Sequence, residues 1–395
     1  MGAPLQGIKV VDLTQAMAGP CCSMVLGDFG AEVIKIEPPE SGDMLRYWGP
    51  PFEGGIGSYF LMFNRNKKGM TLNLRDPRAK EIFHRLARQA DVVVESFRPK
   101  VKHKLGIDYE TLAQDNPGLI YTSISGFGQT GPYAARPGFD PIAQGMSGLM
   151  SITGTRESGP TRVGTAIGDY FTGVFAALGT ILALFERKTS GRGQTVDASL
   201  LETLVGCLGV QASTYLSTDV RPEPQGNNHP VQSPYGSFAT KDGYIIIAAG
   251  NQGMWERCAK ALDLGELIED PRFLTVADRV QNRSALMELM EKRLGTGASA
   301  HWLEILEEAG VASGPILYID EVFKDPQVLH QEMLKVIDHP VLGRLKTTGF
   351  SANLSRSKAD ISLPPPLLGE HNQEILSELG FQESQLAELK KDGVI

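Results

Sequence analysis

Asp169 is the position in this chain whose type and setting best suit covalent chemistry. It lies in Gly164-Thr165-Ala166-Ile167-Gly168-Asp169-Tyr170, at the start of a helix predicted over Asp169–Lys188. Two readings of such an aspartate stand side by side. As a helix cap, its carboxylate satisfies the first free backbone N–H groups. As a nucleophile, it exploits the same place. A helix N-terminus stabilises negative charge, which predicts an ionised carboxylate at neutral pH. An ionised carboxylate can attack an acyl carbon and form a covalent intermediate.

Cations gather after two predicted strands. Arg75 follows Thr71–Leu74, and Arg98, Lys100, Lys102 and Lys104 follow Asp91–Phe97. In an open parallel sheet, ligands bind at the carboxyl ends of the strands, where cations can pair with phosphates. A solvated basic loop is the alternative. Other familiar chemistries lack their residues. The first 37 residues run strand, turn, helix, strand and an acidic Glu37, but the turn Gln15-Ala16-Met17-Ala18-Gly19-Pro20 lacks the glycine spacing of a dinucleotide site. Gly145-Met146-Ser147-Gly148 is one residue short of a hydrolase nucleophile elbow. Ser355-Arg356-Ser357-Lys358 stands without the partner motifs of the S-x-x-K enzymes. The seven histidines are scattered with no metal-ligand spacing, so no metal site is expected.

The hydrophobic pattern supplies the scaffold that must position these residues. Ile8–Leu13, Glu32–Glu37, Asp91–Ser96 and Leu119–Ile124 read as strands. Met17–Gly30, Asp76–Gln89 and Asp108–Gln114 read as the helices between them. This β-α-β-α order predicts an α/β fold with a large doubly wound parallel-sheet domain. Thr195–Ser199 is a further strand and Leu200–Leu216 a further helix. Thr218–Pro234 holds four prolines and reads as a linker. A hairpin then pairs Gly236–Phe238 with Tyr244–Ala248 about Lys241-Asp242-Gly243, and helical patterns run from Met254 to Gly310. That is a smaller α+β domain. The predicted division is 1–216, a linker at 217–235, a small domain at 236–326, and a return segment at 327–395 ending in a helix over Asn372–Lys391.

Composition fits this picture. The 395 residues are 42% hydrophobic and 21% charged, ordinary for a globular chain of two domains. A net charge of −8 leaves no electrostatic footprint for nucleic acid. Four cysteines without a regular framework predict free thiols in a reducing compartment. The N-terminal segment has the pattern of neither a secretory signal nor a myristoylation site, so a cytoplasmic location is expected. The longest apolar run, Tyr170–Phe185, falls short of the roughly 20 residues of a membrane span. It reads as a buried core helix, and no membrane partner is expected.

Several segments, in order along nearly the whole chain, together resemble the class III CoA-transferases, the group of formyl-CoA transferase and carnitine CoA-transferase. The first runs from Asp12-Leu13-Thr14 through Ala18-Gly19-Pro20, and the longest from Leu26-Gly27-Asp28 through Lys35-Ile36-Glu37. Ser41-Gly42-Asp43, Asn64-Arg65-Asn66-Lys67-Lys68 and Val94-Glu95-Ser96-Phe97-Arg98-Pro99 follow. Then come Ser125-Gly126-Phe127-Gly128, Arg136-Pro137-Gly138-Phe139-Asp140, Gly168-Asp169, Gly191-Arg192-Gly193-Gln194, and Pro364-Pro365-Pro366-Leu367-Leu368-Gly369.

The resemblance implies an interlocked homodimer whose large domain is built from both chain ends. It implies that Asp169 attacks a donor acyl-CoA, forms a mixed anhydride, and is then converted by the returning thiolate into an aspartyl-CoA thioester. An acceptor carboxylic acid takes the CoA. Gly168 would leave room for the thioester. The CoA thioester is a substrate, and no permanent cofactor is implied. Ala16, Met17, Leu72, Arg75, Ser96, Phe97 and Lys104 should line the CoA site, with Arg98 among the nearby cations. Pro38 stands where some members carry a cation near the nucleotide phosphate. The family's glycine-rich loop corresponds to Gly250-Asn251-Gln252-Gly253, whose N–H groups could stabilise an oxyanion and whose side chains could read the acceptor. Val328–Gly369 and Asn228-His229 with Pro234-Tyr235-Gly236 look most like the branch acting on succinyl-CoA and dicarboxylic acids. The α-methylacyl-CoA racemases share the fold but pair the aspartate with a histidine where this chain has Phe139, which can be neither acid nor base. Racemisation and non-catalytic acyl-CoA binding are the rival readings.

Overall fold

The computed structural model describes residues 2–395. Contacts divide the chain into two compact units. The first comprises the chain up to Leu149, Arg162–Ser213 and Gln327–Ile395. The second comprises Met150–Thr161 and Thr214–Pro326. Relative to the boundaries read from sequence, Met150–Thr161 thus packs with the second unit.

The first unit is built on six parallel strands: β1 (Lys9–Asp12), β2 (Glu32–Glu37), β3 (Lys67–Thr71), β4 (Val92–Glu95), β5 (Ile120–Ser125) and β6 (Gln194–Ser199). Their order is β3-β2-β1-β4-β5-β6. Consecutive side chains of a strand face opposite sides. Val10, Val92 and Val94 therefore join one core with α1 (Ala18–Asp28), while Val11 and Val93 join another with α2 (Pro77–Gln89). Both faces are covered, which is why the strands read as continuous apolar runs. Residues Ile375, Leu376, Leu389 and Val394 complete the second of these cores.

α3 (Pro99–Leu105) follows β4, and α4 (Asp140–Met146) leads towards α5 (Ile167–Ser190). At 24 residues, α5 is longer than its apolar run, and it is the one helix among the described residues long and apolar enough to cross a membrane. One side packs on α1, β5 and β6. The other leaves Phe175, Leu178, Leu182 and Phe185 exposed, the last at 71%. The reading as a buried core helix is therefore corrected to a helix buried on one side only.

Two helices read as continuous are broken. Leu200–Leu216 becomes Leu200–Gly206 and Gly209–Thr218, parted where Gly209 takes φ 49°. The terminal helix becomes Asn372–Glu378 and Glu383–Lys391, parted where Gly380 takes φ 88°. The second unit has a three-stranded antiparallel sheet, Tyr235–Ala239, Tyr244–Ala248 and Ser313–Pro315, packed with helices around Trp255, Phe273 and Trp302.

Candidate active site

The strand order reverses between β1 and β4: β2 and β3 extend one way, β5 and β6 the other. At such a switch point the loops leaving the two strands diverge and open a crevice at their carboxyl ends. Ala16 and Met17 lie on the loop after β1, and Ser96, Phe97 and Arg98 on the loop after β4. The loops touch, since Gln15 N donates to Ser96 Oγ at 3.4 Å.

Side chains beneath shape both loops. Glu95, fully buried, accepts from Phe97 N at 2.7 Å and from Lys102 Nζ at 3.0 Å. Lys102 also reaches Ser123 Oγ and Gln129 Oε1. This member of the cation cluster is thus turned inward and spent. Arg75, Arg98 and Lys104 are exposed and form no ion pair among the described residues. Leu72 is 2% exposed and its side chain belongs to the core, so only its backbone could meet a ligand.

The loop after β1 stands on four fully buried charged groups. Asp12 accepts from Thr14 N at 2.8 Å, from the hydroxyls of Thr14 and Ser23, and from Lys67 Nζ at 3.1 Å. Burial pushes its carboxyl up, but Lys67, Lys35 and the two hydroxyls outweigh this and hold it at about 2. Burial lowers Lys67 to about 8 against the pull of Asp12. Lys67 also donates to Pro20 O and Asn64 Oδ1. Lys35 and Asp43 form a second ion pair, 3.0 Å apart.

Asp169 is the third residue of α5, whose cap is Ala166, so it is not a helix cap. The capping interaction comes from outside the helix. Asp140 Oδ1 accepts from Gly168 N at 2.8 Å, and Asp140 Oδ2 accepts from Gln144 Nε2 at 2.7 Å. Gln144 Oε1 in turn accepts from Val163 N at 2.8 Å. A Cβ at Gly168 would lie 2.9 Å from Asp140 Oδ1 and 3.0 Å from Leu204. The glycine therefore permits this close approach of Asp140 and Leu204.

Asp169 is partly buried, and among the described residues no cation acts on its carboxyl. Burial, then the charge of Asp140, raises its carboxyl to about 7. Desolvation and a neighbouring carboxylate thus oppose the ionisation that a helix start favours. The start of α5 lies on the first turns of α1, directly after Met17. Gly173 permits this, since a Cβ there would stand 2.6 Å from Ala18 O and 2.7 Å from Cys21 Cβ. Cys21 Sγ also donates to Tyr170 O at 3.9 Å. Asp169 thus shares the edge of the sheet that carries the crevice.

Phe139 is half exposed at the start of α4. Gly250-Asn251-Gln252-Gly253 belongs to the second unit. Asn251 caps the following helix by accepting from Met254 N, and Gln252 Oε1 accepts from buried Arg279 Nη1 at 3.0 Å. Both side chains are therefore engaged within that unit. Cys21, Cys22, Cys207 and Cys258 are free thiols. His103, Asp108 and Glu110 cluster within 4.8 Å, but the Asp108 carboxylate is taken up in capping Thr111 N. Asp140 and Gln144 are the site residues that sequence reasoning missed. Asp140 was visible only as the end of Arg136-Pro137-Gly138-Phe139-Asp140, with no sign of its bond 28 residues away.

The chain is similar to known proteins over nearly its whole length. Residues 5–372 match CoA-transferase family III. A mouse protein named succinyl-CoA:glutarate CoA-transferase is 42% identical over 99% of this chain and 90% of its own length. The succinate–glutarate CoA-transferase of Agrobacterium fabrum is 39% identical over 95% of this chain and 96% of its own. The crystal structure of a CAIB/BAIF family protein from Brucella suis superposes with a TM-score of 0.86 at 40% identity, covering 96% of this chain and all of that one.

Proposed function

Because this chain belongs to CoA-transferase family III and is a CoA-transferase, we propose that it moves CoA between dicarboxylic acids, with succinyl-CoA as donor and an acid such as glutarate as acceptor. The observation that carries the mechanism is Asp169: a carboxylate at the crevice edge, offset by no cation among the described residues and raised to about 7. Near neutral pH a large fraction is ionised, and only that form is nucleophilic.

The ionised Asp169 carboxylate attacks the thioester carbonyl. The carbon–sulfur bond breaks, leaving an aspartyl acyl anhydride and CoA thiolate. The thiolate then attacks the aspartyl carbonyl, releasing the donor acid and forming an aspartyl-CoA thioester. The acceptor carboxylate attacks that thioester, expels thiolate and leaves a second anhydride. Thiolate attack on the acceptor carbonyl yields the new acyl-CoA and returns Asp169 as carboxylate. Each step exchanges one acyl bond for another, and the sequence is redox-neutral.

Ala16, Met17, Ser96 and Phe97, with the backbone of Leu72, would line the CoA. The unpaired Arg75, Arg98 and Lys104 would meet its phosphates. The chain would act as a homodimer, a second copy covering the apolar face Phe175, Leu178, Leu182 and Phe185. Phe139 argues against racemisation, since it offers no proton donor or acceptor.

Acceptor scope tests this reading. Incubating the protein with succinyl-CoA and a panel of acids, followed by mass spectrometry, should give glutaryl-CoA and little product from monocarboxylates. Transfer to monocarboxylates alone would overturn the dicarboxylate assignment. α-Deuterium exchange without any transfer would favour an isomerase.

A further inference from the structure

The loop between β1 and α1 holds a bend that its own sequence does not favour. Ala16 takes φ 66°, in the left-handed region where a Cβ crowds the backbone. Two fully buried side chains hold it there. Asp43 Oδ1 accepts from Ala16 N at 3.1 Å, and Asp43 Oδ2 accepts from Lys35 Nζ at 3.0 Å. Lys35 Nζ donates also to Thr14 O at 2.9 Å. One ion pair thus grips the backbone on both sides of Gln15.

The pair is itself fixed. Asp43 accepts from Leu45 N at 3.0 Å, and its own N–H donates to Glu37 Oε1 at 2.7 Å. Glu37 is held in turn by two bonds from Arg46, at 2.8 and 2.7 Å. Apolar residues of similar volume often replace a buried ion pair without loss of stability. The need for a charge pair here is better explained by the backbone groups it serves.

We propose that Lys35 and Asp43 are positioning residues for the CoA site: they hold Gln15, Ala16 and Met17 in the bend that the thioester substrate requires, without touching it. This inference rests on the reading of Ala16 and Met17 as CoA-site residues. Preorganisation of this kind acts on ligand affinity, because an unheld loop must be ordered at the moment of binding.

The test measures free-CoA affinity by calorimetry, and KM for succinyl-CoA and for glutarate, on the full chain. Asp43→Asn places an amide or a neutral oxygen against Lys35 and loosens the grip. CoA affinity should fall about tenfold, the scale of one left-handed residue's penalty, with succinyl-CoA KM rising alike and glutarate KM unchanged. Adding Ala16→Gly to Asp43→Asn should restore part of the affinity, because glycine adopts this φ without penalty. Should Asp43→Asn not fold, Ala16→Val tests the bend directly: a β-branched residue resists φ 66° and should weaken CoA binding similarly. A merely structural role would reduce the active fraction and leave both KM values unchanged. That result, or wild-type CoA affinity in folded Asp43→Asn or Ala16→Val, overturns the proposal. A wild-type chain that does not bind CoA would instead remove the CoA-site reading beneath it.

Discussion

Asp12 and Asp169 serve the same edge of one sheet and end in opposite electrostatic states. Asp12 is fully buried, yet its carboxyl is held at about 2. Asp169 is less buried, yet its carboxyl rises to about 7. Depth therefore does not decide protonation here. Asp12 has two ammonium groups and two hydroxyls to offset its desolvation, whereas Asp169 has none and faces Asp140. The difference separates a carboxylate that builds the loop from one left without stabilising partners among the described residues. In the proposed mechanism, the nucleophile is the carboxylate that lacks the partners stabilising charge elsewhere in the same unit.

The sharpest way to break this contrast is to neutralise each member. Asp169→Asn should fold normally and lose at least about 1,000-fold in turnover with succinyl-CoA and glutarate, because the covalent step has no nucleophile. Lys67→Met should leave Asp12 buried beside a missing partner and destabilise the chain by about 3–5 kcal/mol, read by urea unfolding. The Asp12 contribution in the wild type has its own signature. Its carboxyl is lower in the folded state than the ordinary 3.8, so its stabilisation is present above that value and lost as pH falls towards about 2.

Asp169 has the opposite sign. Folded, it holds its proton up to about 7; unfolded, it ionises near 3.8. Folding therefore takes up a proton between those values, and stability declines as pH rises through that window. Asp169→Asn should accordingly be more stable than wild type at about pH 8, by about 1–2 kcal/mol once partial exposure is allowed for, and the gain should vanish towards pH 4. The smallest effect belongs to Asp140→Asn. Asp140 ranks second to burial in raising Asp169, so removing its charge should shift the acid limb of kcat/KM downward by less than about one pH unit. An unmoved limb would show that Asp169 does not set it.

Much of the scaffold was legible because it follows from local rules. Glu32–Glu37 is a strand with the bounds its pattern suggests, and Asp76 before Pro77 marks the start of α2 as cap and first residue. Residues 16, 17, 96 and 97 were legible only through the family resemblance, and Arg98 through its place after a predicted strand; the sheet order that makes both loops diverge from one crevice appears only in the fold. What failed to show depends on contacts distant in sequence. Lys102 looks like its neighbours in the cation cluster, and only the fold turns it onto Glu95. The state of Asp169 could not be read from its helix position, since its two causes are burial and a residue on another helix. Asp43 serves a loop 27 residues before it, through a bond that no spacing rule anticipates. The helix breaks at Gly209 and Gly380 were present as glycines, but glycine alone does not distinguish a tolerated helical residue from a turn.

The central claim is that Asp169 carries the acyl and CoA groups in turn. It is tested most directly by incubating wild-type protein with succinyl-CoA alone, quenching with hydroxylamine, and mapping peptides by mass spectrometry. The account predicts a hydroxamate at Asp169, absent from Asp169→Asn and absent when succinyl-CoA is omitted. Turnover of succinyl-CoA and glutarate with Asp169 unmodified, or with the label on another residue, would contradict it.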